Sequence, residues 1–489
     1  MTSTKTVFVS GIFNVLHPGH VRLFRFAREL GERLVVGVHS DSLLGEEAHV
    51  SQDLRIEVVS ANSYVDEVLL IDRSVESAVE QLRPDFVVKG KEHENLPNPE
   101  LEALRKYGGK LVFSSGEAVF SSIDLINRDF TGSDRIVTHP PNDFLTRHEI
   151  NPIELASTVN KFPNLQVCVI GDLIVDEYLT CDPLGMSQED PTIVVTPVDM
   201  QRFLGGSGIV AAHAAGLGAR VHYLSVAGDD EIRQYAVEEL ESCGVTADVL
   251  RDDTRPTTLK QRFRADGTTL LRVSHLHQTS IDLSLQNQVF ERFEQIVSEC
   301  QLLVFSDFNY GCLPQALVER LVECAQAAGL IMAADSQCSS QIGDVSRFNG
   351  MDLLMPTEHE ARVSLRNHQD GLVVLAEQLR TVSEAKNIIL TLGAEGSLLH
   401  VHGEDGLLHT DRIPQLNSAP RDVIGAGDSH LITSAMAMSV GATGWEAAYL
   451  GAVAAAIQIN RIGNIPITQS ELINELKEHA GRRTDGPFR

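Results

Sequence analysis

The sequence predicts two consecutive α/β domains built on parallel sheets, the second carrying a small β lid. Three observations predict this. Short β-branched or apolar runs alternate with helical stretches along most of the chain, as parallel strands joined by crossover helices do. The alternation weakens once, between Thr131 and Pro163, where Pro140 and Pro141 adjoin among Asn142, Asp143 and Asn151. At 489 residues the chain exceeds what one hydrophobic core ordinarily holds, so two or three domains are expected.

The first domain is expected over residues 1–133, a linker over 134–163 and the second domain over 164–489. Thr6–Ser10 is a β-branched run that breaks at Gly11 and leads into a helical pattern from His20 to Leu30. Arg33–His39, Val68–Asp72 and Phe86–Lys89 are the next strands, with a helix over Val75–Leu82. The linker holds a short helix near Pro152–Asn160. Gln166–Ile170 opens the second series, which continues through Leu302–Ser306, Leu330–Asp335, Leu353–Pro356 and Ile388–Leu392. Their apolar runs predict strands buried on both faces. The segments Asp176–Leu204 and Thr257–Val273 read instead as two-sided strands, the material of the lid.

Composition excludes several classes. The chain is 43% hydrophobic and 22% charged, an ordinary globular balance. Its net charge of −27 leaves no overall basic footprint for a nucleic-acid duplex. Aromatic residues make up 5%, with the single Trp445, which argues against a stacking surface for single strands. A phosphorylated substrate must be held by local positive features, such as helix N-termini and a few Lys or Arg residues. The seven cysteines are scattered without a C-x-x-C pair, so reduced thiols are expected rather than disulfides or a zinc site. Met1–Val9 carries no long apolar run, and no run of transmembrane length occurs. A cytoplasmic protein without a signal peptide or membrane contact is expected.

Two segments carry chemistry. The first, Gly11-Ile12-Phe13-Asn14-Val15-Leu16-His17-Pro18-Gly19-His20, lies between a strand and a helix. Free N–H groups at a helix start attract anions. Imidazole donors can stabilise the charge that builds on phosphates during transfer, and Gly19 permits a close backbone approach. A lone histidine pair would merely cap the helix, but the whole segment resembles the HxGH signature of the Rossmann-like nucleotidyltransferase superfamily. Arg55 falls where such enzymes place a basic residue, and Pro84–Gly90 resembles their PDxxVKG strand end. Ser121-Ser122-Ile123 resembles their Ser-Thr-Thr, with Ile123 replacing the third hydroxyl. The resemblance implies catalytic roles for His17, His20 and Lys89. It implies nucleotide contacts for Gly11, Phe13, Asn14, Gly19, Arg55, Gly90, Ser121 and Ser122. The superfamily uses ATP and CTP, and both stay open.

The second segment, Asp422-Val423-Ile424-Gly425-Ala426-Gly427-Asp428, opens a helix rich in small residues from Ser429 to Val440. The glycines give a tight turn whose N–H groups can hold a transferring phosphoryl group. Asp428 is placed to take the proton of an attacking hydroxyl. The segment resembles the D-x-x-G-A-G-D signature of the ribokinase-like (PfkB) sugar kinases. Gly205-Gly206 resembles their upstream Gly-Gly motif, and Gly171–Tyr178 their first strand, with Asp172 and Asp176 on sugar hydroxyls. Thr391–Gly396 resembles the loop that borders ATP. The resemblance implies nucleotide contacts for Thr391, Gly393, Gly396, Asp422, Gly425, Ala426 and Gly427. It implies sugar contacts for Asp172, Asp176, Gly205, Gly206 and Lys260, and a Mg2+ ion held through water by Glu360.

Met186–Pro191 and Ser306–Gly311, taken with the HxGH domain, resemble the bifunctional heptose 7-phosphate kinase and heptose 1-phosphate adenylyltransferase family, which makes ADP-heptose. The order of the domains is reversed relative to that family. Ile209 stands where the family has Asn, Thr357 stands at the Asn of its Asn-x-x-Glu motif, and Asp335-Ser336-Gln337-Cys338 replaces Asp-Pro-Lys-Gly. Partners implied are a sugar phosphate, a nucleoside triphosphate and a second copy of the chain, since such kinases often pair through their lids. Two other readings stand beside this one: a fused cytidylyltransferase and kinase for another sugar or polyol phosphate, and a chain with one domain serving binding or regulation.

Overall fold

The computed structural model describes residues 5–16, 18–45, 48–90, 98–114, 138–187, 190, 192–265, 268–337, 343–403, 406–417 and 420–484. Contacts divide the chain into two compact units, Met1–Val137 and Thr138–Arg489.

In the first unit, β1 (Thr6–Gly11), β2 (Arg33–His39), β3 (Glu67–Ile71), β4 (Phe86–Gly90) and β5 (Lys110–Ser114) form one parallel sheet. Successive side chains of β1 point to opposite faces, and both faces are covered. Val7 and Val9 pack with Phe24 and Ala27 of the helix Pro18–Leu30. Phe8 packs with Val79 and Leu104 from the helices Val75–Leu82 and Glu100–Arg105. The strand order is β3-β2-β1-β4-β5. The winding direction therefore reverses between β1 and β4, and parallel sheets of this kind bind ligands at the carboxyl ends flanking that reversal.

The second unit has two sheets. Nine strands run in the order β10-β9-β6-β13-β14-β15-β16-β17-β18. They are β6 (Gln166–Gly171), β9 (Arg220–Ala227), β10 (Val245–Arg251), β13 (Leu302–Asp307), β14 (Ile331–Ser336), β15 (Leu353–Leu354), β16 (Asn387–Thr391), β17 (Ser397–His402) and β18 (Leu408–Ile413). The six parallel pairings end at β16, and β17 and β18 add antiparallel neighbours. The expected apolar runs are the central strands, while the half-exposed edge strands β10 and β18 lack such runs because they bury little. The lid is a four-stranded sheet of order β12-β11-β7-β8, with β7 (Leu173–Met186), β8 (Ile193–Gly206), β11 (Thr258–Ala265) and β12 (Thr268–His275). The chain passes from main sheet to lid at Asp172 and returns through Gly206 into the buried helix Ser207–Gly216. Among the described residues, no helix is long and apolar enough to cross a membrane.

Residues 138–163, expected within the linker, form the helices Asn142–Arg147 and Pro152–Val159 on the second unit. The Thr138 hydroxyl bonds to the Glu475 carboxylate and lies 2.6 Å from His479 Nε2, both on the C-terminal helix Gln469–Thr484. His148 stacks on Trp445 at 4.0 Å and bonds Asp411 at 2.7 Å. Phe144, Leu145, Leu155, Val159 and Phe162 are buried, each worth about 1.5–3 kcal/mol. A fragment starting at Thr138 is therefore expected to melt near the second unit's transition in the full chain. One starting at residue 164 should melt well below it. Equal midpoints in a thermal scan would show that these helices are dispensable.

Candidate active sites

In the first unit, Gly11 ends β1 and Lys89-Gly90 ends β4. The register Val7↔Phe86 and Phe8↔Val87 carries these ends to one level. The helix that begins at Pro18 has no acidic residue in its first turn, where the amides of a helix have no partner within the helix and favour negative charge. Gly19 and His20 lie in that turn. The His20 ring meets the Phe13 ring edge to face at 5.0 Å, and Phe13 is buried with φ +54°. The Asn14 Oδ1 accepts the amides of His49 (3.1 Å) and Val50 (3.3 Å), tying the loop after β1 to the one before the helix Gln52–Ser60. Lys89 Nζ lies 2.9 Å from Glu100 Oε1, and Glu100 is buried. His17, Ser121 and Ser122 lie outside the described residues.

Arg55 sits beneath this site. Its guanidinium is buried and donates to the carbonyls of Val50 (2.8 Å), Ile12 (2.7 Å) and His39 (2.8 Å), and to the Asp41 carboxylate. In this position it braces the ends of β1 and β2, and its donors point to protein rather than to the crevice. Neither Glu100 nor Asp41 is marked by sequence pattern, because each acts only through a partner that folding brings to it.

In the second unit, carboxylates converge beyond the ends of β14 and β16. Asp428 lies in the first turn of the helix Ala426–Ser439. Burial pushes its carboxyl up to about 7, aided by the negative charges of Asp176 and Glu360 and opposed by Lys260. Asp335, the penultimate residue of β14, is held well above the usual range by burial and then by Glu360 and Asp428. Its Oδ1 is buried without a hydrogen-bond partner among the described residues. Gln337 Nε2 reaches Asp428 Oδ1 at 3.5 Å. Glu360 closes a capping box with Thr357, accepting the Thr357 amide at 2.8 Å. Thr357 in turn bridges to Thr391, which sets the Gly393–Gly396 turn beside the Glu360 helix.

Crowded carboxylates with an orphaned oxygen suit a hard divalent cation that keeps most of its water and leans on substrate phosphates. Asp335 and Glu360 are the residues placed to order such an ion. Among the described residues no three His, Cys, Asp or Glu side chains form a direct metal cage. Sequence pattern alone assigns Asp335 no role; the signal that could have found it is an acid near the end of an apolar strand, the usual place for site residues in parallel sheets.

The turn before Asp428 heads the helix Ala426–Ser439, whose first amides have no partner within the helix. Gly425 has φ +75°, and a Cβ there would lie 2.4 Å from Asn464 Oδ1, so only glycine fits. Among the described residues a Cβ at Gly427 would meet nothing within 4 Å. Asp422 accepts the Ile424 amide at 3.2 Å and so shapes the turn.

Asp172 and Asp176 differ. Asp172 accepts the amides of Phe308 (2.8 Å), Tyr310 (3.2 Å) and Cys312 (3.1 Å), and burial, with Asp307, raises it to about 6. It organises the loop after β13. Asp176, on the lid, is buried, its Oδ1 stands 3.5 Å from a guanidinium nitrogen of Arg262, and its charge reaches Asp428. A Cβ at Gly205 would lie 2.4 Å from Asp176 Oδ2, so the Gly-Gly motif makes room for this carboxylate. Gly206 heads the helix that follows. Lys260 Nζ lies over the rings of Phe308 (4.9 Å) and Tyr310 (5.2 Å). Ile209 is wholly buried in the helix Ser207–Gly216.

Comparison with known proteins agrees with this division. Residues 164–470 match the model of the pfkB family carbohydrate kinases, and residues 8–110 match the cytidylyltransferase-like model. The chain is 29% identical to Bifunctional protein HldE of Helicobacter hepaticus, over 63% of each chain. It is 30% identical to that of Desulfatibacillum aliphaticivorans, over 65% of each. The chain thus spans 63–65% of the length of these relatives. Among solved structures, Arabidopsis thaliana ribokinase with ribose and ATP superposes with a TM-score of 0.51 at 19% identity, covering 64% of this chain and 99% of that one. Escherichia coli phosphofructokinase-2 with substrates and products gives 0.52 at 15%, covering 65% and 99%. These likenesses establish the fold.

Proposed function

This chain belongs to the pfkB family of carbohydrate kinases, and we propose that it activates a sugar in two steps, one on each unit. The second unit phosphorylates the anomeric oxygen of a sugar phosphate, a heptose 7-phosphate, using ATP and Mg2+. Asp428 takes the proton of the attacking hydroxyl, and the amides of residues 425–427 hold the transferring phosphoryl group. Asp335 and Glu360 would hold a hydrated Mg2+, which would supply positive charge against the phosphates. The first unit then transfers a nucleotidyl group from ATP to the sugar 1-phosphate. The sugar phosphate oxygen attacks the α-phosphorus and pyrophosphate leaves, while the helix at Pro18, His20 and Lys89 carry the developing negative charge. The product is an ADP-sugar, ADP-heptose. The chain acts as a cytoplasmic homodimer, since the lid face turned away from Asp176 exposes Val198, Met200 and Leu271.

The observation that carries the kinase reading is one buried carboxylate, Asp428, at the head of a helix with open amides, facing a cationic lid. Lys260, Arg262 and Arg264 alternate along β11, and Arg272 pairs with Arg262 from β12. Side chains two apart share a face and stand about 7 Å from each other. The row leads away from Asp428, as the far end of a sugar phosphate would. Arg262 pairs with Asp176 through Nη2 at 3.5 Å, while its buried Nε has no hydrogen-bond partner among the described residues.

The test is a product assay by mass spectrometry with each nucleoside triphosphate and a panel of aldoses and their phosphates. A sugar bisphosphate from ATP and an ADP-sugar are expected. A CDP product would favour the cytidylyltransferase reading, and no phosphorylated product would refute the kinase. Arg264→Ala should raise KM for the phosphorylated aldose about 10- to 100-fold, the range for one charge-assisted bond. KM for the unphosphorylated sugar should barely move. Equal effects on both would remove Arg264 from phosphate recognition.

A further inference from the structure

Tyr178 and Asp422 are 244 positions apart, one on a lid strand and one in the phosphoryl-transfer turn, yet they touch. The Tyr178 hydroxyl donates to Asp422 Oδ2 at 2.9 Å. The Gly463 amide donates to the same oxygen at 3.1 Å, and the Ile424 amide to Oδ1 at 3.2 Å. Both oxygens of Asp422 are therefore engaged by protein. The segment around Gly463 is itself wedged between lid and turn. Asn464 Nδ2 donates to the carbonyl of Leu204 on β8 at 2.9 Å, and Gln458 Nε2 bonds the carbonyls of Ile424 (3.3 Å) and Gly463 (3.0 Å). The Tyr178 and Phe203 rings meet edge to face at 5.1 Å, and a Cβ at Gly463 would lie 2.5 Å from the Phe203 ring.

Resting on the kinase reading above, we propose that Tyr178 is a positioning residue that couples the seating of the lid to the shape of the phosphate-holding turn. The physical link is short. Asp422 fixes the turn through the Ile424 amide, and its orientation is set by the phenol above it. A phenol donating to a carboxylate is a directional, charge-assisted bond. Tyr178 is buried, and burial together with the Asp422 charge raises its pKa, so it stays protonated and keeps donating. When the lid rests on the main body, Tyr178 and Gly463 together hold Asp422, and the amides of residues 425–427 converge. When the lid lifts, Asp422 loses its phenol partner and the turn loses one restraint. The amides then converge only when the sugar side of the site is covered.

The test uses the full chain and Tyr178→Phe, which keeps the ring against Phe203 and removes only the hydroxyl. Hydrogen exchange of the peptide spanning Ile424–Gly427 should quicken in the ligand-free protein. The kcat for sugar phosphorylation should fall about 10-fold or more, as for one lost bond to a charged group, with KM for the sugar little changed. In an Asp422→Ala background, Tyr178→Phe should change neither exchange nor kcat further. Unaltered exchange in the single variant, or fully additive effects in the pair, would overturn the coupling. The exchange readout needs no turnover, so it judges the coupling even if the kinase reading itself fails in the product assay.

Discussion

Asp428→Asn is expected to lower kcat for sugar phosphorylation by about 10²- to 10⁴-fold, the range for loss of a general base. The substitution keeps the shape of the side chain at the head of the helix and removes its ability to accept a proton. Burial first, then Asp176 and Glu360, hold this carboxyl at about 7, so wild-type kcat/KM should rise with pH up to about 7 and level off above it. The sign follows from the base form being the active one, which protonation removes below that value. Lys260 opposes the rise, so Lys260→Met should move the profile to more alkaline pH.

Stability should change in the other direction. A carboxyl whose folded pKa is raised weakens the fold above that pKa, and the penalty is relieved as pH falls below about 7. Asp428→Asn should thus stabilise the second unit at pH 8, by on the order of 2–4 kcal/mol, with the gain shrinking steadily as pH falls below about 7 and lost only below the ordinary carboxylate range. Nucleotidyl transfer should be unchanged. Sugar phosphorylation by Asp428→Asn at a near-normal rate would reduce Asp428 to a dipole complement at a helix start.

His20→Ala is expected to lower nucleotidyl transfer by about 10²- to 10³-fold, as for removal of one preorganised donor. Preorganisation here has a visible origin. Phe13 is locked by burial at positive φ, and its ring supports the imidazole edge to face in the first helical turn. His17→Ala should behave alike. If each unit carries its own reaction as proposed, sugar phosphorylation should persist in both variants, measured in the same preparation with the two half-reactions assayed apart. Parallel loss of both activities would contradict two independent sites.

By itself the sequence determined the α/β class, the central strands and the two glycine-rich segments that head the helices Pro18–Leu30 and Ala426–Ser439. Each depends on near neighbours: apolar runs make buried strands, and glycines followed by His20 or Asp428 make helix starts with free amides. What only the tertiary structure decided are the partners of charged groups. Arg55 looks like a ligand-binding cation in sequence, but the carbonyls that consume it come from Ile12, His39 and Val50. Asp172 and Asp176 are four residues apart and chemically identical. The sheet change between them gives Asp172 three loop amides and sets Asp176 beside Arg262 of the lid, within reach of Asp428's charge. Asp335 joins Asp428 from 93 positions away, and Tyr178 reaches Asp422 from 244. Side chains this distant in sequence meet only because the sheets stack their strand ends together. The charge, burial and pKa of such groups belong to that meeting and to no local pattern.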